Sequence, residues 1–332
     1  SIVKFISPQK RLSFLMILTI ALLVVWIHSQ NTSYEQPEYV PPTSEQVVFW
    51  SERIAEMGGY QAYELFSKFY SESEIGIQHE NAHFFGEALY AIEGIKGVVV
   101  CDARFAFGCY HSFFGFALLD QGLGILTDLD QACIEVYGRK GLGCQHGIGH
   151  GVLAELGYDK LDESLEACRT LDWDGPIGGC TSGVFMEHNF ATMQDQGRVR
   201  EAGEQGLHFP CNVVGNTFLE ACYFDQPQWW WAGQQFSYER VGQLCQEAPT
   251  DTERTACYRG VGNLVAGFKG FELDAIIDGC AQMPDVEAEL YCIEGASWLM
   301  AAQPEYEHIW NELCSYFEGD AHTRCEEARY MI

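Results

Sequence analysis

The hydrophobic and polar positions divide the chain into three parts, of which the first is an apolar run near the N-terminus. This run extends without a charge from Leu12 to Ile27, and Lys4, Lys10 and Arg11 precede it. A basic flank followed by an apolar run is typical of a segment that enters a membrane with its positive end in the cytoplasm. We therefore predict a signal-anchor or transmembrane segment over residues 1–28. Because the run is shorter than the ~20 residues of most spanning helices, a cleaved signal peptide is the alternative.

The second part is a polar stretch over residues 29–48, which contains Pro37, Pro41 and Pro42. Proline-bearing polar segments form extended linkers, so we expect a stalk here. In the third part, residues 49–332, helix-forming segments alternate with turn-forming Asp, Gly and Pro residues. The pattern predicts an α-helical repeat domain, with His-rich repeats at 75–190 and scaffold repeats at 191–332.

The cysteines give the period of these repeats. The chain has 14 of them, an even number with no C-x-x-C pair, which favours disulfides in an exported protein over a zinc ribbon or a thioredoxin-like site. The second members of successive pairs are separated by 35, 36, 42, 35, 35 and 33 positions. Taken in order, the predicted disulfides are Cys101–Cys109, Cys133–Cys144, Cys168–Cys180, Cys211–Cys222, Cys245–Cys257, Cys280–Cys292 and Cys314–Cys325.

A period in the mid-thirties is that of arrays of two-helix units, each of which buries its apolar face only by stacking on its neighbours. Each disulfide should therefore join the end of one helix to the start of the next, and typically adds about 2–4 kcal/mol. A glycine often follows the second cysteine by three positions, as at Gly147, Gly183, Gly260 and Gly295. Glycine weakens a helix, so close approach of a neighbouring helix or of a ligand is expected there. The predicted fold class is all-α: a disulfide-stapled helix-turn-helix repeat array, or α-solenoid, after an N-terminal transmembrane helix.

At the level of architecture, this arrangement over residues 95–332 resembles the cysteine-rich Sel1-like and tetratricopeptide families of α/α repeat proteins. The consensus residues of those families are not evident, and the cysteine separation of 11 or 12 belongs to this sequence. The resemblance implies an α-solenoid with a groove that binds a protein or a peptide.

Charge and motifs narrow the function classes. The formal net charge of −28 repels phosphate backbones, so nucleic acid is not an expected partner. The sequence contains neither a P-loop, nor a dinucleotide-binding glycine motif, nor a G-x-S-x-G motif, which disfavours nucleotide enzymes and α/β hydrolases. The expected partners are the membrane, through the N-terminal helix, and a protein or peptide in the groove. The expected location of the body is the periplasm, the cell surface or the secretory lumen.

Histidines concentrate in the early repeats and carry the candidate chemistry. Two pairs have i, i+4 spacing, which places both imidazoles of a pair on one face of a helix, where they can share a metal ion. Each second helix is aligned on its cysteine, and the cysteine-free opening repeat is aligned by taking Glu80 as the counterpart of Cys109. At 100° per residue, five histidines then fall within an arc of about 100°. The predicted metal ligands are His79, His83, His111, His146 and His150. The equivalent positions of later repeats hold Phe224, Arg259 and Glu294, so the histidine stripe stops there.

Carboxylates near the stripe extend the prediction. Glu87 and Glu187 are candidates for a further ligand or a catalytic base, while His188 falls outside the arc. Imidazole-rich ligation suits zinc, copper or iron, and carboxylates such as Glu80 would favour iron or zinc. A catalytic, a structural and a cargo role for the ion remain open, so a metal-dependent enzyme is one expectation among three. The alternative is a metal-free interaction scaffold with an acidic groove, in which the histidines are ordinary packing residues.

Overall fold

The computed structural model describes residues 45–138, 142–171, 177–193, 198–301 and 306–328. The predicted anchor at residues 1–28 lies outside these ranges, as does nearly all of the predicted stalk at 29–48. The first helix begins at Gln46, shortly before the predicted start of the repeat domain. Across the described ranges, no helix combines the length and the apolar character that crossing a bilayer requires.

The described residues are almost entirely helical, as the sequence predicts. Their α-helices are α1 (Gln46–Met57), α2 (Gly59–Tyr70), α3 (Ile75–Glu93), α4 (Gly108–Gln121), α5 (Leu126–Tyr137), α6 (Leu142–Leu156), α7 (Leu161–Cys168), α8 (Cys180–Asn189), α9 (Leu219–Gln228), α10 (Tyr238–Gln246), α11 (Asp251–Phe268), α12 (Leu273–Cys280), α13 (Val286–Ala301), α14 (Glu307–Ser315) and α15 (Asp320–Glu327). Shorter helical turns are 3-10 helices at Gly94–Val100, Arg104–Phe107, Leu123–Ile125 and Asn216–Phe218, and a π-helix at Trp229–Gly233. Two short strands, β1 (Phe190–Ala191) and β2 (Arg198–Val199), pair antiparallel.

All seven predicted disulfides are confirmed, and no free cysteine remains. Their Cα–Cα distances of 5.5 to 5.7 Å lie in the ordinary range for a disulfide. Five of them join two consecutive α-helices, as α7 and α8 are joined by Cys168–Cys180. Disulfides persist in oxidising compartments, so the folded body belongs to an extracytoplasmic environment.

Two repeats depart from the predicted helix-turn-helix form, because no α-helix precedes their first cysteine. The segment before Cys101 is the 3-10 helix Gly94–Val100, in which two glycines and a run of three valines disfavour an α-helix. The segment before Cys211 consists of turns after β2, and Gly203, Gly206 and Pro210 interrupt it. The cysteine spacing alone did not reveal this difference.

In chain order, the second helix of each repeat packs against the second helix of the next repeat. Successive contacts join α1, α3, α4, α6, α8, α9, α11 and α13. The first helices pack on the sides of this row, as α5 does on α6 and α12 on α13. Hydrophobic side chains from every repeat form one continuous buried cluster that includes Phe85, Phe113, Ile148 and Val261. The row of second helices is the element that brings residues of distant sequence position together.

Glycine permits this close packing, and helix approach is therefore the reason for the glycines after the second cysteines. A Cβ on Gly183 of α8 would lie 2.0 Å from the carbonyl oxygen of His146 on α6. In the reverse direction, a Cβ on Gly149 of α6 would lie 2.0 Å from the carbonyl oxygen of Cys180. Gly260 and Gly295 meet the backbone of the preceding second helix in the same way. The helix that carries His146 and His150 is thus held backbone to backbone against its neighbour.

Candidate metal centre

Three neighbouring helices supply the five predicted histidine ligands. Helix α3 carries His79 and His83, α4 carries His111, and α6 carries His146 and His150. Because α4 packs against both α3 and α6, the three helices bring the five imidazoles together. They form two groups of three that could hold a metal ion, because the ligand atoms of each group lie within 4.8 Å of one another, and His111 belongs to both. We call His79, His83 and His111 the first triad, and His111, His146 and His150 the second triad.

In the first triad, nitrogen atoms from both helices face a common point. Nε2 of His83 lies 3.2 Å from Nε2 of His79 and 3.4 Å from Nδ1 of His111. Two nitrogens bound to zinc at about 2.0–2.1 Å in tetrahedral geometry are about 3.3 Å apart, so both distances fit a shared ion. Nδ1 of His79 donates a hydrogen bond to the carbonyl oxygen of Phe105 at 2.9 Å, which leaves Nε2 of His79 with its lone pair.

An unusual turn places the Phe105 carbonyl against His79. Phe105, Ala106 and Phe107 all adopt positive φ angles, of 61°, 50° and 65°. Such left-handed residues other than glycine cost free energy and are found where the surrounding structure enforces them, often at functional sites. The next residue, Gly108, lies so close to His79 that a Cβ there would be 2.6 Å from the His79 carbonyl oxygen. The segment between Cys101 and Cys109 therefore orients the His79 ring.

The second triad is more deeply buried. The exposed fractions of His111, His146 and His150 are 3%, 8% and 0%. Nε2 of His146 and Nε2 of His150 are 3.2 Å apart, a separation that also fits two ligands of one ion. Nδ1 of His150 donates to Oε2 of Glu187 at 2.8 Å. The His150 ring thus donates from Nδ1 and directs the lone pair of Nε2 at His146.

Glu187 orients His150 from the neighbouring helix α8. Its side chain is fully buried and also accepts hydrogen bonds from Tyr158 Oη at 2.6 Å, from the backbone N–H of Thr192 at 2.9 Å and from that of Met193 at 3.0 Å. Burial alone would raise the pKa of the Glu187 carboxyl, but the hydrogen bonds from His150, Thr192 and Tyr158 outweigh it and lower the pKa. An ionised carboxylate behind a histidine is the usual support of a metal-bound imidazole.

Four of the five histidines are held in the neutral form that metal ligation requires. Burial lowers the pKa of His83, His111 and His146 well below the usual value, and it lowers the pKa of His79 as well. Proximity of the other imidazoles acts in the same direction, since two adjacent positive charges would repel each other. Neutral imidazoles are the form that binds a transition-metal ion.

One nitrogen of the cluster is buried without a hydrogen-bond partner. It is Nε2 of His111, which finds no donor or acceptor within the described part of the chain. Buried polar atoms in folded proteins are nearly always paired, and an unpaired one requires an explanation such as an ion. The donor chemistry and this unpaired nitrogen both fit a transition-metal ion.

A cavity of about 1650 Å³ adjoins the cluster, and His79, His111 and His146 contribute to its lining. Beyond His146, the lining continues with Ser182 and Asp225, and then with Phe224 and Trp298. Ser182 Oγ donates to Asp225 Oδ2 at 2.7 Å, and burial raises the pKa of Asp225 well above its usual value. A buried carboxyl with a raised pKa, which accepts a hydrogen bond from Ser182, therefore lies between the histidines and an aromatic region of the same cavity.

The other predicted candidates lie outside the two triads. Glu87 is half-buried on α3 and belongs to neither group, and Glu80 is exposed. His188 packs against Phe209, at 5.8 Å between ring centroids, in agreement with its position outside the arc. Glu187 contacts His150 as a hydrogen-bond acceptor and is not a member of either triad.

Sequence reasoning missed several residues that shape the site. Tyr158, Thr192 and the carbonyl of Phe105 act through hydrogen bonds between segments that are distant in sequence, and no motif marks them. The sequence contained one sign that Asp225 lies near the site, because this residue adjoins Phe224, which replaces histidine in its repeat. Its partner Ser182 likewise occupies the position of His111 and His146 in the preceding repeat.

In the later repeats, the same helix position forms ion pairs instead of a histidine cluster. Arg259 Nη2 lies 2.8 Å from Glu294 Oε2, and Arg324 Nε lies 2.7 Å from Glu294 Oε1. The position equivalent to His111 and His146 therefore links helices in the C-terminal half through charge pairing. This difference separates the histidine-bearing part from a part that we interpret as scaffold.

We expect substitution of Glu187 by glutamine to weaken zinc binding by the second triad about 10- to 100-fold. Glutamine retains the shape of the side chain but loses the charge that supports His150, and its amide donor opposes the N–H groups of Thr192 and Met193. Competition with a chromophoric zinc chelator measures the affinity. The matched control is Glu87→Gln, a half-buried carboxylate outside both triads, which should leave the affinity unchanged. Equal affinities for the two variants would show that Glu187 supports packing alone.

Comparisons with protein-family models, with curated proteins and with solved structures found no match to this chain.

Proposed function

We propose that the protein is an extracytoplasmic metal-dependent enzyme whose ion is bound by the histidine triads. One observation carries the proposal: Nε2 of His146 lies 3.2 Å from Nε2 of His150, a separation that fits two ligands of one ion, while Glu187 accepts a hydrogen bond from the other nitrogen of His150. A hydrogen bond between these two rings would also account for the separation, but it would leave Nε2 of His111 buried and unpaired, whereas a bound ion gives that nitrogen a partner as well.

The ligand set favours zinc or copper over iron. Every member of both triads is an imidazole, and the nearest carboxylate, Glu187, is hydrogen-bonded to His150. Imidazole donors suit zinc and copper, whereas the common non-haem iron sites include a carboxylate ligand. Of the three metals that the sequence indicates, iron is therefore the least favoured.

Support for a catalytic role comes from the number of ligands and from the cavity. Each triad offers three protein ligands, and catalytic zinc sites have three protein ligands with a fourth position for water or substrate. Three of the five histidines contribute to the wall of the large cavity. A bound ion would supply Lewis-acid activation of a substrate oxygen or of water, and copper would add electron transfer. Ser182 and Asp225 would then offer a hydroxyl and a carboxyl to a substrate in the same cavity.

Binding of a small exogenous ligand tests the open coordination position. Protein loaded with Cu(II) or Co(II) should change its visible absorption spectrum when azide is added, because azide occupies a free position on the ion. The control is the same titration of protein loaded with Zn(II), which has no d–d spectrum. A Cu(II) or Co(II) spectrum that azide leaves unchanged would indicate a closed, structural site and would contradict the catalytic role.

A second candidate function, binding of a peptide or protein segment, is favoured by the size of the cavity. Its volume of about 1650 Å³ exceeds the range of about 300–1,000 Å³ that is usual for small ligands. Its aromatic region includes Phe224 and Trp298, whose ring centroids are 5.6 Å apart. A ligand that binds equally well before and after removal of metal would favour this function over the enzyme.

We also propose that residues 1–28 anchor the protein in a membrane and that the repeats form an α-solenoid. The support is the basic flank and apolar run of the sequence, together with the chain-order packing of the second helices. Recovery of the mature protein in the membrane fraction with residues 12–27 retained would agree with the anchor. Soluble protein that begins near Ser29 would instead indicate a cleaved signal peptide.

A further inference from the structure

His111 is the residue that the two triads share, and its surroundings differ from those of the other histidines. His79 and His150 each donate from Nδ1 to a backbone or carboxylate oxygen, so each offers a single nitrogen, Nε2, to an ion. His111 has no such acceptor. Its Nδ1 faces Nε2 of His83 at 3.4 Å, and its Nε2 is buried and unpaired within the described residues.

Because α4 lies between α3 and α6, the His111 ring lies between the histidine pair of α3 and the histidine pair of α6. The centroid of the His111 ring lies 5.1 Å from that of His79 and 5.4 Å from that of His83. On the other side, it lies 5.4 Å from the centroid of His146 and 4.4 Å from that of His150. An imidazole carries its two nitrogens on different edges of the ring, so one ring in this position can serve two ions.

We propose that His111 is a bridging ligand of a dinuclear metal centre. Its Nδ1 binds one ion together with His79 and His83, and its Nε2 binds a second ion together with His146 and His150. This inference rests on the proposed metal-dependent function and specifies its stoichiometry: two ions per chain. With bonds of about 2.0 Å on either side of one imidazole ring, the ions lie about 6 Å apart.

Bridging requires that His111 lose its remaining ring proton. As the second metal–nitrogen bond forms, the N–H proton of the neutral imidazole passes to solvent, and the ring becomes an imidazolate with a charge of −1. No oxidation or reduction takes place. The negative charge on the bridge offsets part of the charge of two divalent ions, which the neutral imidazoles of the other four histidines cannot do.

Electron paramagnetic resonance of the copper-loaded full chain tests this arrangement. Saturation with Cu(II) should bind two ions per chain, and their unpaired electrons should couple antiferromagnetically through the imidazolate. At low temperature, the integrated signal should therefore fall close to zero, although elemental analysis finds two coppers. His111→Ala removes the bridge, so any copper that remains should give its full, uncoupled signal. Circular dichroism checks that the variant retains its helical fold.

The possible outcomes separate this inference from the proposed function. Saturation at one copper per chain would contradict the bridge while leaving the metal site in place. Two coppers with a full uncoupled signal would also contradict it. No bound copper would contradict both the bridge and the proposed function. Two coppers without a signal in the wild type, together with a recovered signal in His111→Ala, support the bridge.

Discussion

Replacing His146 and His150 together by alanine is expected to lower the metal content by at least one ion per chain. Both residues lie on one face of α6 and supply two of the three ligands of the second triad. In this variant His111 is the single histidine left in the second triad, and one ligand cannot hold an ion that needs three or four protein ligands. Elemental analysis of the purified variant measures the change, with the wild type prepared in parallel.

The matched control is the double variant His308→Ala/His322→Ala, which removes the same number of histidines. His308 is exposed on α14, and Nδ1 of His322 hydrogen-bonds the carbonyl oxygen of Cys314, far along the chain from both triads. Its metal content should equal that of the wild type. Unchanged metal content in the His146/His150 variant would return these histidines to a packing role and leave the interaction scaffold as the better account.

Removal of the ion is expected to loosen the histidine-bearing helices selectively. At a free metal concentration 100 times the dissociation constant, binding stabilises the folded state by about 2.7 kcal/mol. In the metal-free protein, amide hydrogens of α3, α4 and α6 should therefore exchange up to about 100-fold faster where exchange requires these helices to open. Amides of α11 and α13 should change little, because the C-terminal repeats carry their own disulfides and the ion pairs of Glu294.

Hydrogen exchange with mass spectrometry, before and after chelator treatment, resolves these segments. The His146→Ala/His150→Ala variant provides the control, since chelator should have a smaller effect on its α6. A uniform change over all repeats would indicate that the array opens as a single unit. An absence of any change would mean that the ion contributes nothing to the stability of these helices.

Much of the fold could be predicted because cysteine spacing and helix periodicity are properties of single segments. The double spacing of the cysteines predicted every disulfide, including Cys101–Cys109 with its shorter separation of 8. The i, i+4 pairs and the common register placed five histidines on one face, and the structure brings these five together. The glycines that follow four of the second cysteines by three positions indicated close approach, which the backbone contact of Gly183 with His146 explains.

The rest depended on contacts between segments, for which the sequence carries no periodic pattern. Glu187 was expected at the edge of the site, but its role as acceptor for His150 depends on how α8 packs against α6. The positive φ angles of residues 105–107 follow no glycine or asparagine pattern that would mark a left-handed turn. That His111 belongs to both triads could not be predicted from the sequence, because it depends on how three helices are positioned relative to one another.

Elemental analysis of the wild-type chain tests the central claim most directly. The full chain should be expressed in an oxidising compartment, purified without a metal-affinity step or chelator, and measured near neutral pH. The account predicts at least one ion of zinc, copper or iron per chain, and two where the His111 bridge is filled. Protein that is correctly folded and disulfide-bonded, yet contains no transition metal and takes up none when zinc or copper is added, would contradict it.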